Sequence, residues 1–160
     1  MKRWAKILLL GTGIAATGGT VYAFRLKRFA KKAEIISRVN VHKIALDGIT
    51  LRVDSLVKNP TSLGVSMKFP FVKLVYKDAT IGTSVAVNKD VKIPKNSQVQ
   101  LDPMMIQIPL LGFFSLGADL LKAFTDGTPI KLAVKYSSTV LFGKLNAIPF
   151  SASYDVTVKK

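Results

Sequence analysis

The chain of 160 residues contains no cysteine and a single histidine, His42. The first absence excludes a disulfide scaffold, thiolate metal sites, cysteine catalysis and lipid attachment through a thiol. The second removes imidazole clusters, so no metal site is expected. Acids are scarce too, with 9 Asp and Glu against 24 Lys and Arg. Asp47, Asp54, Asp78, Asp90, Asp102, Asp119, Asp126 and Asp155 are scattered, with no pair placed as a general acid and base. A calcium loop, a Walker lysine and a Gly-x-Ser-x-Gly elbow are all missing. Residue types leave open only a Ser–His–acid triad on His42. The expectation is a protein that is not an enzyme and takes no cofactor.

What is abundant is positive charge, a formal +15. It favours anionic partners: phospholipid headgroups, nucleic acid or an acidic protein surface. No aromatic interleaving or nucleic-acid signature accompanies the bases of the domain that follows residue 37, so any nucleic-acid contact there would be phosphate-based and non-specific. Residues 1–33 hold Lys2, Arg3, Lys6, Arg25, Lys27, Arg28, Lys31 and Lys32 and no acid. That fifth of the chain carries about half of the excess. With 49% apolar residues the remainder has ample material for a core.

Ile7 to Phe24 is an uncharged run of 18 residues. As a helix it would span about 27 Å, close to the hydrocarbon thickness of a bilayer. Ile7, Leu8, Leu9, Leu10, Ile14, Val21 and Phe24 are its large apolar residues, and Trp4 and Tyr22 stand near its ends, where such rings favour the interface. Gly11, Ala15, Gly19 and Ala23 recur every fourth position as a smooth stripe that would permit self-association of spans. Two other readings compete. Gly11-Thr12-Gly13-Ile14-Ala15-Ala16 fits a dinucleotide fingerprint, with Glu34 as its acidic residue. That motif needs a βαβ unit, and the basic run leading to Glu34 does not supply one. A cleaved signal peptide would end near Val21-Tyr22-Ala23, but the dense positive charge that follows opposes translocation. An uncleaved single-pass anchor is the expectation, in a cell membrane or the internal membrane of a virion. Its orientation stays open, because bases flank both ends.

Leu26, Phe29, Ala30, Ala33 and Ile36 continue at helical spacing with bases on the remaining face. This predicts a basic amphipathic helix beside the membrane. Lys2, Arg3, Lys6, Arg25, Lys27, Arg28, Lys31 and Lys32 are the candidate contacts to an anionic surface, each worth about 1 kcal/mol near an anionic leaflet. A solvated spacer is the plainer reading.

From residue 38 the period changes to two. Ile49–Asp54, Ile130–Tyr136 and Phe150–Val158 alternate, and Val72–Tyr76, Ala86–Ile93 and Val99–Ile108 lie between them, separated by turn residues. This predicts an antiparallel β-sandwich. Phe113, Leu116, Leu120, Leu121 and Phe124 predict one helix closing an end of it. The predicted organisation is a transmembrane and juxtamembrane helix over 1–37 and a mainly β domain over 38–160.

Val53-Asp54-Ser55-Leu56-Val57-Lys58-Asn59-Pro60-Thr61 resembles the strand ending in Asn-Pro of the late-embryogenesis-abundant (LEA) group 2 family, whose module is also called the WHy domain. The resemblance continues through Val75–Gly82, through Val91-Lys92-Ile93-Pro94-Lys95-Asn96-Ser97, and at Ile148-Pro149-Phe150. It implies an antiparallel sandwich with a helix, and stress or desiccation protection by binding membranes or proteins. In physical terms Asn59-Pro60 is a structural element: proline ends pairing and asparagine bonds nearby backbone. The domain's own bases, Lys73, Lys77, Lys89, Lys92, Lys95, Lys131 and Lys135, fall at outward or turn positions, either as protection of sheet edges or as an anion-facing surface. Two functions follow as expectations. One is a non-catalytic membrane-anchored binding protein at an anionic surface. The other is a minor structural component of a larger assembly, such as a lipid-containing virion, near packaged nucleic acid.

Overall fold

A computed structural model describes residues 28–112, 118–142 and 146–158. Every large apolar residue of the expected span, the stripe Gly11, Ala15, Gly19 and Ala23, and the bases Lys2, Arg3, Lys6, Arg25 and Lys27 lie outside these residues.

Strand periodicity begins at Glu34. Residues 28–32 form a helical turn closed by the Ala33 amide donating to the Phe29 carbonyl at 2.7 Å, and β1 follows directly over Glu34–Ala45. The helix expected to reach Ile36 therefore ends earlier. Phe29 and Ala33 do face one way, into the core, but the run Ile35-Ile36 with Val39 and Val41 favours extended backbone. Ile36 then lies on the outer face, 41% exposed, instead of on the apolar stripe.

β2 spans Gly48–Asn59 and pairs antiparallel with β1 along its length. Its second edge is shared by two short strands. β8, Met104–Pro109, covers Gly48–Val53, and β7, Ser97–Gln100, covers Leu56–Asn59. The expected strand Val99–Ile108 is thus two strands, divided at Asp102-Pro103, where proline has no amide to donate. The second sheet repeats the device. β9, Ile130–Phe142, pairs with β10, Asn146–Val158, on one edge. On the other edge it pairs with β4, Phe71–Tyr76, and with β3, Val65–Lys68, which are divided at Phe69-Pro70. β5, Ala79–Thr83, lies outside β4, and β6, Asp90–Ile93, lies outside β3. Of the expected strand Ala86–Ile93 only the last four residues pair; residues 84–89 carry no strand, and the Lys89 amide donates to the Val87 carbonyl at 3.1 Å, a tight turn at Asn88.

All recorded pairings are antiparallel. Glu34 opens a strand that pairs antiparallel with β2, and residues 11–16 of the dinucleotide reading lie outside the described residues. The two sheets face each other as the expected sandwich. Leu51, Val53, Ile106 and Ile108 of one are fully buried against Val72, Leu74 and Val134 of the other. Each such side chain contributes about 1.5–3 kcal/mol on burial. The helix α1, Ala118–Asp126, lies between β8 and β9 in the chain, touches β9, and buries Leu120 and Phe124 in the core. Phe113 and Leu116 of the predicted helix are outside the described residues.

Candidate binding surfaces

Asn59 ends β2 with its side chain buried and every polar atom used. Its Nδ2 donates to the Leu63 carbonyl at 2.8 Å and to the Pro94 carbonyl at 2.9 Å. Its Oδ1 accepts from the Thr61 amide at 3.0 Å and the Thr61 hydroxyl at 2.6 Å. The Asn96 amide donates back to the Thr61 carbonyl at 2.9 Å, and Asn96 itself adopts φ 49°. The two turn motifs, Asn59-Pro60-Thr61 and Pro94-Lys95-Asn96-Ser97, are therefore one hydrogen-bonded unit. The structural role expected for Asn59-Pro60 holds, and the bond across to Pro94 adds to it.

Tyr136 forms a second lock, inside the core. Its hydroxyl shares hydrogen bonds with Ser37 of β1 at 2.7 Å and Ser55 of β2 at 2.6 Å, joining the two sheets. Tyr154 stacks edge-on against it, centroids 6.2 Å apart, and its oxygen accepts from the Ile35 amide at 3.4 Å. Burial pushes both phenol pKa values above the ordinary 10.0, and hydrogen bonds partly oppose the rise. Nothing in the sequence paired Ser37 or Ser55 with Tyr136; the inward position of Tyr136 was the only signal.

His42 is the extra residue of a β-bulge in β1 and is exposed. Among the described residues no three His, Cys, Asp or Glu side chains cluster to hold a metal. Three of the acids form surface ion pairs: Arg52–Asp54 at 3.0 Å, Lys68–Asp90 at 2.6 Å, and Lys89–Asp102. Exposed pairs of this kind contribute about 0–1 kcal/mol.

The bases are sorted by position. Arg28, Lys31 and Lys32 are exposed, while Phe29 between them is 2% exposed and Ala33 is buried. Glu34, the next residue, pairs in register with Lys58, one residue before Asn59. Lys95 stands in the turn bonded to that asparagine. One end of the sandwich thus gathers Arg28, Lys31, Lys32, Lys58 and Lys95 against Glu34. The opposite end holds Asp47, Asp78, Asp119 and Asp126, interspersed with Lys43, Lys77, Lys122 and Lys131. On the outer face of the second sheet Lys131 and Lys135 point outward as expected, and Lys73 pairs in register with Lys135.

On the outer face of the first sheet is a concave trough of about 600 Å³. Its rungs are set by the β1–β2 register: Glu34–Lys58, Ile36–Leu56, Arg38–Asp54 and Asn40–Arg52. Gln98 and Gln100 of β7 extend the first two. The concavity lies where β7 and β8 part, and there the Gln100 side chain and the Leu101 amide both donate to the Ser55 carbonyl, at 3.1 Å and 2.9 Å. Alternation over Ile49–Asp54 sets Arg52 outward, but nothing in the sequence singled out Arg38 or Lys58 or brought the three to a common hollow.

No family model matches the chain, and no curated protein matches it. Solved structures do. A crystal structure of a protein from Archaeoglobus fulgidus is 11% identical, with a TM-score of 0.45 over 81% of this chain and 97% of its own. A solution structure of a protein from Arabidopsis thaliana is 14% identical, with a TM-score of 0.47 over 78% and 80%. A solution structure described as that of a late embryogenesis abundant (LEA) protein is 15% identical, with a TM-score of 0.39 over 89% and 86%. At these values no function passes from them to this chain.

Proposed function

We propose that this is a non-catalytic binding protein whose sandwich is held, basic end first, against an anionic lipid surface. The observation that carries the reading is the segregation of charge. Phe29 and Ala33 root the entering chain in the core, and Arg28, Lys31 and Lys32 are thereby presented beside Lys58 and Lys95, at the end next to the apolar run of residues 7–24. Among the described residues no helix is long and apolar enough to cross a membrane. The single-pass anchor is thus a proposal about residues 7–24, supported by their length, lack of charge and basic flanks. Protection of membranes or proteins during stress is part of the proposal and rests on the motif resemblance, now with Asn59 and Pro94 in direct contact. Nothing in the fold or the comparisons points to a virion.

The test uses the full chain reconstituted into phosphatidylcholine vesicles with and without phosphatidylserine. The protein should stay with the vesicles through alkaline extraction, and release would refute the span. Proteolysis of the domain should slow on phosphatidylserine vesicles, and this shielding should be lost in the triple variant Arg28→Gln, Lys31→Gln, Lys32→Gln. Equal shielding in that variant would refute the basic collar. A reporter enzyme dried with the vesicles should survive better with the protein than without, and equal loss would refute protection.

A further inference from the structure

We propose that the trough on the outer face of β1 and β2 binds a short extended peptide bearing carboxylate side chains. Three features of the trough converge on that ligand.

The first is charge. The trough is lined by Arg38, Arg52 and Lys58 against Asp54, with Glu34 facing Lys58 in register at its end, a net +1. In register Arg38 faces Asp54, but Asp54 is already held by Arg52, whose Nε lies 3.0 Å and 3.2 Å from its two oxygens. Arg38 therefore keeps its guanidinium fork exposed and makes no ion pair among the described residues. A guanidinium left without its cross-strand carboxylate is suited to a bidentate carboxylate from outside. The same charge balance disfavours a metal cation.

The second feature is the lining. Ile36, 41% exposed, and Leu56 form one aliphatic rung between the Lys58 rung and the Arg38 rung. Gln98 and Gln100 border it: the Gln98 amide can serve both the donors and acceptors of a main chain, and the Gln100 side-chain oxygen can accept, its nitrogen being held by the Ser55 and Leu101 carbonyls. No aromatic side chain lines the trough, so a nucleobase or sugar ring has no stacking surface. An extended ligand presents residues i, i+2, i+4 and i+6 to one face, so one with acidic, apolar, acidic and acidic side chains at those positions satisfies the bases and the aliphatic rung together.

The third feature is length and place. Along β2 the lining runs from Arg52 to Lys58, six residue steps and about 20 Å of strand, which matches about six residues of an extended peptide. The trough runs along the flank of the sandwich; its Lys58 rung borders the end where Arg28, Lys31 and Lys32 gather, but Arg38 and Arg52 lie two and three rungs along it, and the site does not rest on the membrane reading above.

The test is fluorescence anisotropy with the full chain in a neutral detergent and a labelled octapeptide with glutamate at positions 1, 5 and 7, valine at position 3 and serine at the even positions. The glutamate peptide should bind saturably, and its glutamine counterpart at least tenfold more weakly, corresponding to about 1.4 kcal/mol. Arg38→Gln should weaken the glutamate peptide about tenfold with an unchanged melting temperature. Lys135→Gln, the same charge change on the other sheet, should alter it less than twofold. Absence of saturable binding, equal binding of the glutamine peptide, no effect of Arg38→Gln, or an equal effect of Lys135→Gln would each overturn the proposal. So would loss, in Arg38→Gln, of binding to phosphatidylserine vesicles in place of peptide, which would assign the arginine to lipid.

Discussion

The side-chain amide of Asn59 donates to the carbonyl of Pro94 at 2.9 Å, across 35 residues of sequence. One buried amide thus terminates β2, shapes the turn into β3 and ties that turn to the one between β6 and β7. Asn59→Ala would leave the Thr61 donors and the Leu63 and Pro94 carbonyls short of a partner in a buried site. A loss of about 2–4 kcal/mol is expected from urea unfolding. Asn59→Asp should cost at least as much, because its carboxylate would face those two carbonyls without a proton to offer.

Tyr136→Phe keeps the ring and removes only the hydroxyl that joins the sheets. Ser55 is 0% exposed and would lose its partner, so the expected cost is about 1–3 kcal/mol. Adding Ser55→Ala and Ser37→Ala to Tyr136→Phe should recover part of that loss. Additive losses in the combined variant would show that the hydroxyls act independently.

Stability should depend on alkaline pH through the same phenols. Burial raises the folded pKa of Tyr136 and Tyr154 above the unfolded value of 10.0. The unfolded chain therefore releases these protons first. The stabilisation is fully present below pH 10.0 and is lost as pH rises from there through the folded values. Urea midpoints taken from about pH 8 to about pH 11 should fall at the upper end, and less steeply in Tyr136→Phe.

Backbone conformation sets two opposite outcomes at turns. Gly48 has φ 148°, and a Cβ there would lie 2.2 Å from the Ile108 carbonyl oxygen. Gly48→Ala should therefore cost more than about 3 kcal/mol, since backbone must move. In the β4–β5 turn, Lys77 and Asp78 hold φ values of 45° and 68°, which suit asparagine and glycine better. Lys77→Asn with Asp78→Gly should raise stability by about 0.5–1 kcal/mol in thermal unfolding.

Much of the fold was legible along the chain. Alternation at Ile130–Tyr136 sets Leu132, Val134 and Tyr136 inward and Lys131 and Lys135 outward, because a strand has only two faces. The Asn-Pro turn announced its local role, since proline lacks an amide and asparagine bonds backbone. Other features were hidden. Residues 29–36 satisfy a helical period, yet only Phe29 and Ala33 use it, because pairing with β2 recruits the chain from Glu34 onward. Val99–Ile108 reads as one strand, and only the competition of β7 and β8 for the same edge of β2 shows Pro103 to be a divider.

The sequence by itself determined the class of the protein. Period-two patterning, turn residues and the shortage of cysteine, histidine and acid lead to a basic, mainly antiparallel β chain before any contact is known. Tertiary structure alone decided which distant groups meet: Asn59 with Pro94, Tyr136 with Ser37 and Ser55, and Arg38 left open beside an Asp54 already taken by Arg52. The reason is physical. Burial periodicity is a local property of the chain, whereas register, sheet curvature and the sharing of one strand edge by two others arise only when residues far apart in sequence compete for the same hydrogen bonds and the same space.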